Sequence, residues 1–571
     1  MMKSKTLLFF LFLTNLFFAQ TQNEIQKLED FTKIYSVVRH FHPSDESAVM
    51  KWELFAAYGV EEVLKTKNQK EFEEKIKELF LPIAPSMTFG KKVYQWEKPD
   101  AKMVYWCNLG LASGSNSETY KRYRKNIDSP NIRYKDSPVP NNIYSLQLSN
   151  DFTVNIPLIV YAEKGKTIPE GNIIRYNELK DKQFDRNIAI ANFVIMWSGL
   201  RHFFPYQDEV NLNWNTILTE GLTNTFTNIS PEENMFTLKK ISHYFNDGHM
   251  WITYPKYLRE NSFLPGIKIQ NLSTTNELVV TDILGIIPEL EKGDIITEID
   301  NEDAKVVLER NKQFWSGSEQ YNTKNACNVL LIGKENMPVH LTLKNGKKIK
   351  VVRNLNASKN SQFFNQDNDF DMKEMQKDIL YLNLQNLTKE KVEANINYIK
   401  SFKKIILDVR RYPKKGLNGA TALLNNFFWN RNDVKFMAYP KIQNPFYENI
   451  NYTDFFGWDI KKKTELEAKI VLLMYEGNGS YQESIPQYLK GNNYVTTIGR
   501  KTGGVNGNIN KVNLLNGMKY SFTGMKVRNP DGSLFHSIGI NPDIYVDDNI
   551  EDIKNGNDTF IEKAIEYLNE K

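Results

Sequence analysis

Beyond Asp371 short apolar runs alternate with segments of helical period. "DILYLNLQNL" gives way to "KEKVEANINYIKSF", "KKIILDVRRYP" to "NGATALLNNFF", and "KIVLLMY" to "SIPQYLK". Runs this short, each followed by an amphipathic stretch, predict strand–helix units and a largely parallel sheet. Residues 263 to 354 read differently, as successive strands ("FLPGIKIQ", "ELVVTDI", "DIITEID", "VHLTL", "KIKVV") with one polar turn and helix after "LEKGDIITEIDNEDAKVV". Residues 92 to 165 alternate apolar and polar positions between Gly, Ser and Pro ("SLQLSNDFTVNIPLIVYA"), which predicts a small β domain.

The remaining stretches are helical, and two of them are alike. "IYSVVRHFHPSDE" begins at Ile34 and "MWSGLRHFFPYQDE" at Met196. Arg39 and Arg201, His40 and His202, Phe41 and Phe203, Pro43 and Pro205, Trp52 and Trp214, and Gly59 and Gly221 all stand 162 residues apart. One offset shared by six identical residues reads as a duplicated helical unit. Helix-period positions such as Leu54, Val60 and Val63 supply its apolar face. Because His40 and His202 recur, they read as packed structural histidines. The copies part company at their ends, where only the second carries Asp247-Gly248-His249. His249 therefore reads as a histidine with a task beyond packing.

Length and composition set the frame. At 571 residues several units are expected, here 1–19, 20–91, 92–165, 182–260, 263–354 and 371–571. A formal charge of +5, dispersed along the chain, argues against nucleic acid as a partner. "MMKSKTLLFFLFLTNLFFAQTQ" has a basic start and an apolar run too short to span a bilayer, so it reads as a secretory leader cut after Ala19. An exported protein, periplasmic or secreted, with no membrane span after leader removal, is expected. Cys107 and Cys327 are the only cysteines, which is neither a disulfide framework nor a metal site; two separate thiols is the simpler reading.

Candidate chemistry gathers at "YEGNGSYQES", where Ser480 follows the apolar run "KIVLLMY" and precedes a helical segment. Alone, a serine after glycine is an ordinary turn residue. Arg410 and Arg411 after "IILDV" could bind a peptide carboxylate or be solvated charges at a strand end.

Five segments in order resemble the S41 serine peptidases, the tail-specific and tricorn-like proteases, over about residues 182 to 546. They are "NDGHMWI", "LEKGDIITEIDNED", "IILDVRRYPKKG", "GNGSYQES", and the closing pair "TIGRKTGG" and "NPDGSLFHSIGINPDI". The resemblance implies an α/β fold with a ClpP/crotonase-like peptidase core and a PDZ-like insertion, preceded here by the duplicated helical units and the small β domain. It implies peptide-bond hydrolysis on peptides or unfolded proteins, without metal or organic cofactor.

Residue by residue, it puts Ser480 at the nucleophile position. The Tyr481 N–H becomes one oxyanion donor, and the loop near Gly416 the source of another, although Lys414-Lys415-Gly416 stands where the family has Gly-Gly. The lysine base of the tail-specific branch is replaced by Val505, and Lys501 is out of register. His249 falls where the tricorn-like branch has its histidine base, and an imidazole suits that duty near neutral pH. That branch's orienting glutamate has no counterpart in His536-Ser537-Ile538-Gly539. Among Glu483, Asp531 and Asp543, Glu483 is preferred because it travels with the nucleophile turn. The alternative to a peptidase is a pseudo-peptidase, weak or inactive, that binds peptides or envelope components; the β domain at 92–165 could serve the latter.

Overall fold

Apolar side chains at helical spacing bring together α1 (Met2–Phe41), α2 (Trp52–Leu64) and α3 (Gln69–Phe80). The protein is seen here as a computed structural model. It describes residues 2–93, 102–108, 110–111, 122–127, 142–285, 287–359, 370–376, 378–413, 418–442, 444–445 and 450–570, with backbone alone for 2–21 and 122–127. No helix among the described residues is long and apolar enough to cross a membrane. Part of the 92–165 segment, and Gly416, lie outside the described residues.

The second helical segment forms α4 (Arg186–Phe203), α5 (Trp214–Phe226) and α6 (Pro231–Ser242). It shares one apolar core with α1–α3. A Cβ on Gly59 would sit 2.4 Å from the Phe31 ring, and one on Gly221 2.0 Å from the Phe193 ring. Each glycine leaves room for an aromatic ring from a preceding helix. His40 and His202 lie ring to ring at 5.6 Å, both buried, with His40 Nε2 3.0 Å from Ser198 Oγ. Burial holds His202 well below the usual histidine pKa.

After α6 the chain passes Asp247-Gly248-His249 and enters the short strand β1 (Ile252–Thr253). Residues 263–357 then form a unit with its own core. Strands Ile267–Leu272, Glu277–Ile283, Ile295–Ile299, Pro338–Leu343 and Lys348–Val352 pair antiparallel in that order. Helices α7 (Ala304–Lys312) and α8 (Glu319–Val329) pack on them. Entry strand Phe263–Leu264 pairs with exit strand Leu355–Asn356, so the unit leaves and rejoins the chain at adjacent points.

The strand–helix alternation past Asp371 folds as the sequence predicts. Strands β2 (Met372–Gln376), β3 (Ile379–Asn383), β4 (Lys404–Asp408), β5 (Lys469–Met474), β6 (Thr496–Gly499) and, at the far edge, Ile544–Tyr545 make one sheet. Only β2 pairs antiparallel to its neighbour. Alternate residues serve two cores, as a sheet covered on both faces requires. Leu380, Leu382, Ile405, Leu407 and Leu472 meet α9 (Asn418–Phe427) and α10 (Tyr481–Gly491). Ile379, Ile406, Val471 and Leu473 meet α11 (Thr559–Asn569).

Between β6 and the edge strand, a hairpin of β7 (Ile509–Asn513) and β8 (Lys519–Thr523) crosses back to the helical region, where β8 pairs with β1. Arg410 is neither solvated nor open to a peptide. It is held by Asp408 at 2.8 Å and Asp558 at 2.7 Å, mostly buried. Cys107 and Cys327 are separate buried thiols.

Candidate active site

Strand β5 ends at Met474, and the chain turns sharply before α10. Asn478 fixes the turn: its side chain accepts the Tyr475 N–H at 2.8 Å and donates to the Val409 carbonyl, at the end of β4, at 2.7 Å. Ser480 follows with φ 56° and ψ −129°, a region that residues with a Cβ rarely enter. Its N–H is held by the Val505 carbonyl at 2.5 Å, and its own carbonyl accepts the Glu483 N–H at 2.9 Å, starting the helix. A strand, a strained serine and a helix in this order set the serine at the mouth of the turn, ahead of the helix N-terminus.

Glu483 is fully buried in the first turn of α10. Its carboxylate accepts Thr502 Oγ1 at 2.5 Å and the N–H groups of Gly504 and Val505 at 2.7 Å each. Burial pushes its pKa up to about 7 against the pull of those three donors. The expectation that Glu483 orients His249 is therefore corrected, because both its oxygens are committed to the 502–505 loop. Asp531 sits exposed in a turn with Ser533, and Asp543 pairs with Lys490 and Thr497.

His249 reaches the site from the other side. It is 6% exposed, and its Nδ1 lies 2.9 Å from Thr523 Oγ1, the last residue of β8. Thr523 in turn donates to Asp247, Oγ1 to Oδ1 and N to Oδ2, both at 2.7 Å. Asp247 also accepts the His249 N–H at 3.0 Å. The β1–β8 pairing makes this meeting possible, with Tyr520 opposite Ile252, and Ser521 Oγ donates to the His249 carbonyl at 2.8 Å. Burial lowers the His249 pKa, the Asp247 charge opposes that, and neighbouring His536 adds to it.

The serine and histidine segments converge on Val505. A Cβ on Gly248 would lie 2.3 Å from Val505 Cγ2, and one on Gly479 3.5 Å from Val505 Cβ. Both glycines also face Tyr321 of α8, which closes over them. Around α8, Ser316 Oγ accepts the Asp247 N–H, Ser318 Oγ donates to the Gly503 carbonyl, and Gln320 donates to the carbonyls of Thr502 and Ile538.

A strained serine after a parallel strand, with the segment of a buried histidine packed on the same valine, is an arrangement a hydrolase can use. The sequence comparison says which. Residues 378–546 match the model of peptidase family S41. That segment is an S41 peptidase domain.

The S41 domain makes the chain a serine-type peptidase. No curated protein matches the chain. Among solved structures, mature CPAF is similar at 12% identity and a TM-score of 0.51, over 67% of this chain and 96% of that one. Mature CPAF complexed with lactacystin is similar at 13% identity and 0.51, over 67% and 98%. At such identity the likeness is one of fold.

The sequence singles out Ser480 and His249, whose segments both pack on Val505, and gives no sign of Thr523, which meets His249 Nδ1. "KYSFT" is ordinary strand alternation, and nothing local marks its last residue.

Proposed function

We propose that the protein is an exported serine endopeptidase in which Ser480 is the nucleophile and His249 the general base. The observation that carries this reading is the backbone of Ser480, strained at φ 56° on a strand–turn–helix, with the His249 segment packed on the same residue, Val505. Ser480 Oγ attacks the peptide carbonyl carbon while His249 Nε2 takes its proton. The tetrahedral oxyanion is met by the Tyr481 N–H, which at the first position of α10 has no carbonyl four residues back within the helix. His249 gives the proton to the departing amine as the C–N bond breaks. Water, deprotonated by His249, then cleaves the acyl-enzyme and returns Ser480.

Unit 263–357 is read as the PDZ-like insertion, supported by its antiparallel sheet, two helices and paired entry and exit strands. The helical segments are read as duplicates, supported by the equivalent Phe31–Gly59 and Phe193–Gly221 contacts, which carry the same 162-residue offset. Export rests on the leader at residues 1–19.

The test compares the mature protein with Ser480→Ala and His249→Ala, using fluorophosphonate labelling and release of dye from quenched casein. The peptidase reading expects labelling and cleavage by the unaltered protein alone. A folded, unlabelled and inert parent would instead leave a peptide-binding pseudo-peptidase, a reading favoured by the hydroxyl, rather than carboxylate, that meets His249 Nδ1.

A further inference from the structure

Asp247 is fully buried, and the described partners of its carboxylate are all donors: the His249 N–H at 3.0 Å, the Thr523 hydroxyl at 2.7 Å and the Thr523 N–H at 2.7 Å. An ionised carboxylate only accepts, and a threonine hydroxyl has a single proton to give. With that proton on the Asp247 side, Thr523 Oγ1 presents lone pairs to His249 Nδ1 at 2.9 Å. Nδ1 must then carry the ring hydrogen, which leaves the lone pair of the neutral imidazole on Nε2. Turning the hydroxyl toward Nδ1 instead would set two lone-pair-bearing oxygens 2.7 Å apart at a buried carboxylate.

We propose that Thr523 and Asp247 are the positioning residues of this site, a carboxylate acting on His249 through an interposed threonine hydroxyl in place of a direct acid–histidine contact. The proposal rests on the Ser480–His249 reading above. The relay does two things for the base. It selects the tautomer whose Nε2 can accept the Ser480 proton. It also gives the imidazolium formed in that step a hydrogen-bond acceptor at Nδ1, polarised by the Asp247 charge. No proton leaves His249 toward Asp247, and the hydroxyl keeps its orientation through the cycle.

Its placement follows from the fold. β8 carries Thr523 to His249 only because β1, three residues past the histidine, pairs with β8. The Ser521 N–H to the Trp251 carbonyl (3.0 Å) and Ser521 Oγ to the His249 carbonyl lock the register. The other carboxylates considered have other partners: Glu483 holds the 502–505 loop, and Asp543 holds Lys490 and Thr497.

The test uses the full mature chain and quenched casein. Thr523→Val keeps the side-chain shape and removes the hydroxyl. It should lower kcat by at least about 10-fold, toward the about 10⁴-fold seen when a triad histidine is left in the wrong tautomer, with KM little changed. Thr523→Ser, which restores a hydroxyl, should recover most of that loss. In ¹⁵N-histidine spectra of the unaltered protein, with the His249 signals found by difference from His249→Ala, Nδ1 should carry the hydrogen. An Nε2–H tautomer there overturns the proposal without recourse to any Thr523 variant, so a misfolded Thr523→Val leaves it open to refutation. Wild-type kcat in a folded Thr523→Val overturns it as well. If His249→Ala still cuts casein, the Ser480–His249 reading falls and the relay with it. If His249→Ala is inert while Thr523→Val is fully active, only the relay falls.

Discussion

Ser480 is the place where the fold carries backbone strain for the sake of the site, and a pair of substitutions measures it. At φ 56° and ψ −129° a Cβ crowds the flanking carbonyls, and a non-glycine residue held in such a region costs on the order of 1–3 kcal/mol. Ser480→Ala and Ser480→Gly both lose the hydroxyl, and they differ in the Cβ alone. Alanine keeps the strain. Glycine relieves it but gives back about 0.5–1 kcal/mol through the extra freedom of the unfolded chain. The net expectation is that the glycine variant is the more stable by about 1 kcal/mol, or about 2–4 °C in the melting of a unit of 150–250 residues. Both variants are expected to be inactive, so stability and activity separate at one atom. Thermal melts of the two, at one pH and concentration, decide it. A glycine variant melting at or below the alanine variant would refute the strain argument.

Three further outcomes follow from the same geometry. Glu483 has a folded pKa of about 7 against an ordinary 4.5, so the fold keeps its proton where the unfolded chain has lost it. That contribution, on the order of 3 kcal/mol, is complete below pH 4.5 and lost as pH rises through 7; denaturation midpoints between pH 4.5 and 8 should fall in the parent and fall less in Glu483→Gln. Burial lowers the His249 pKa, so the acid limb of kcat/KM for casein should be centred below pH 6.5; a limb centred above 6.5 would contradict this. Gly248→Ala drives a Cβ to 2.3 Å from Val505 Cγ2, which should displace His249 and lower kcat by at least about 10-fold. Adding Val505→Ala should restore part of the rate; no rescue would mean the histidine is placed by something else.

How much of this was legible in the sequence depends on the range of the interactions. The parallel sheet was, because its strands are short apolar runs and its helices carry their own period. So was the serine turn, which is built from consecutive residues. Glu483 was noticed and misread: a carboxylate three residues after a serine suggests a catalytic partner, whereas its ligands are the backbone N–H groups of Gly504 and Val505, which no side chain announces. Arg410 was open between two readings because Asp558, which pins it, is far along the chain. Thr523 was invisible for the same reason. A β-branched residue at a strand end acquires chemistry only when a two-residue strand beside His249 pairs with it.

The same contacts explain why unit 263–357 sits where it does. Asp247 would lose the acceptor for its N–H without Ser316, and the carbonyls of Gly503, Thr502 and Ile538 would lose Ser318 and Gln320. Asp247, Gly503 and Thr502 are buried, and a buried polar group left unpaired costs on the order of 1–3 kcal/mol. The loop that receives the Ser480 N–H and the backbone of Asp247, whose carboxylate holds Thr523, are therefore both paired from one short stretch, residues 316–320. Tyr321, packed against Gly248 and Gly503, fills the space between them. Unit 263–357 is thus a wall of the site, and serine, histidine and wall are held in register by hydrogen bonds that each segment lacks the means to make alone.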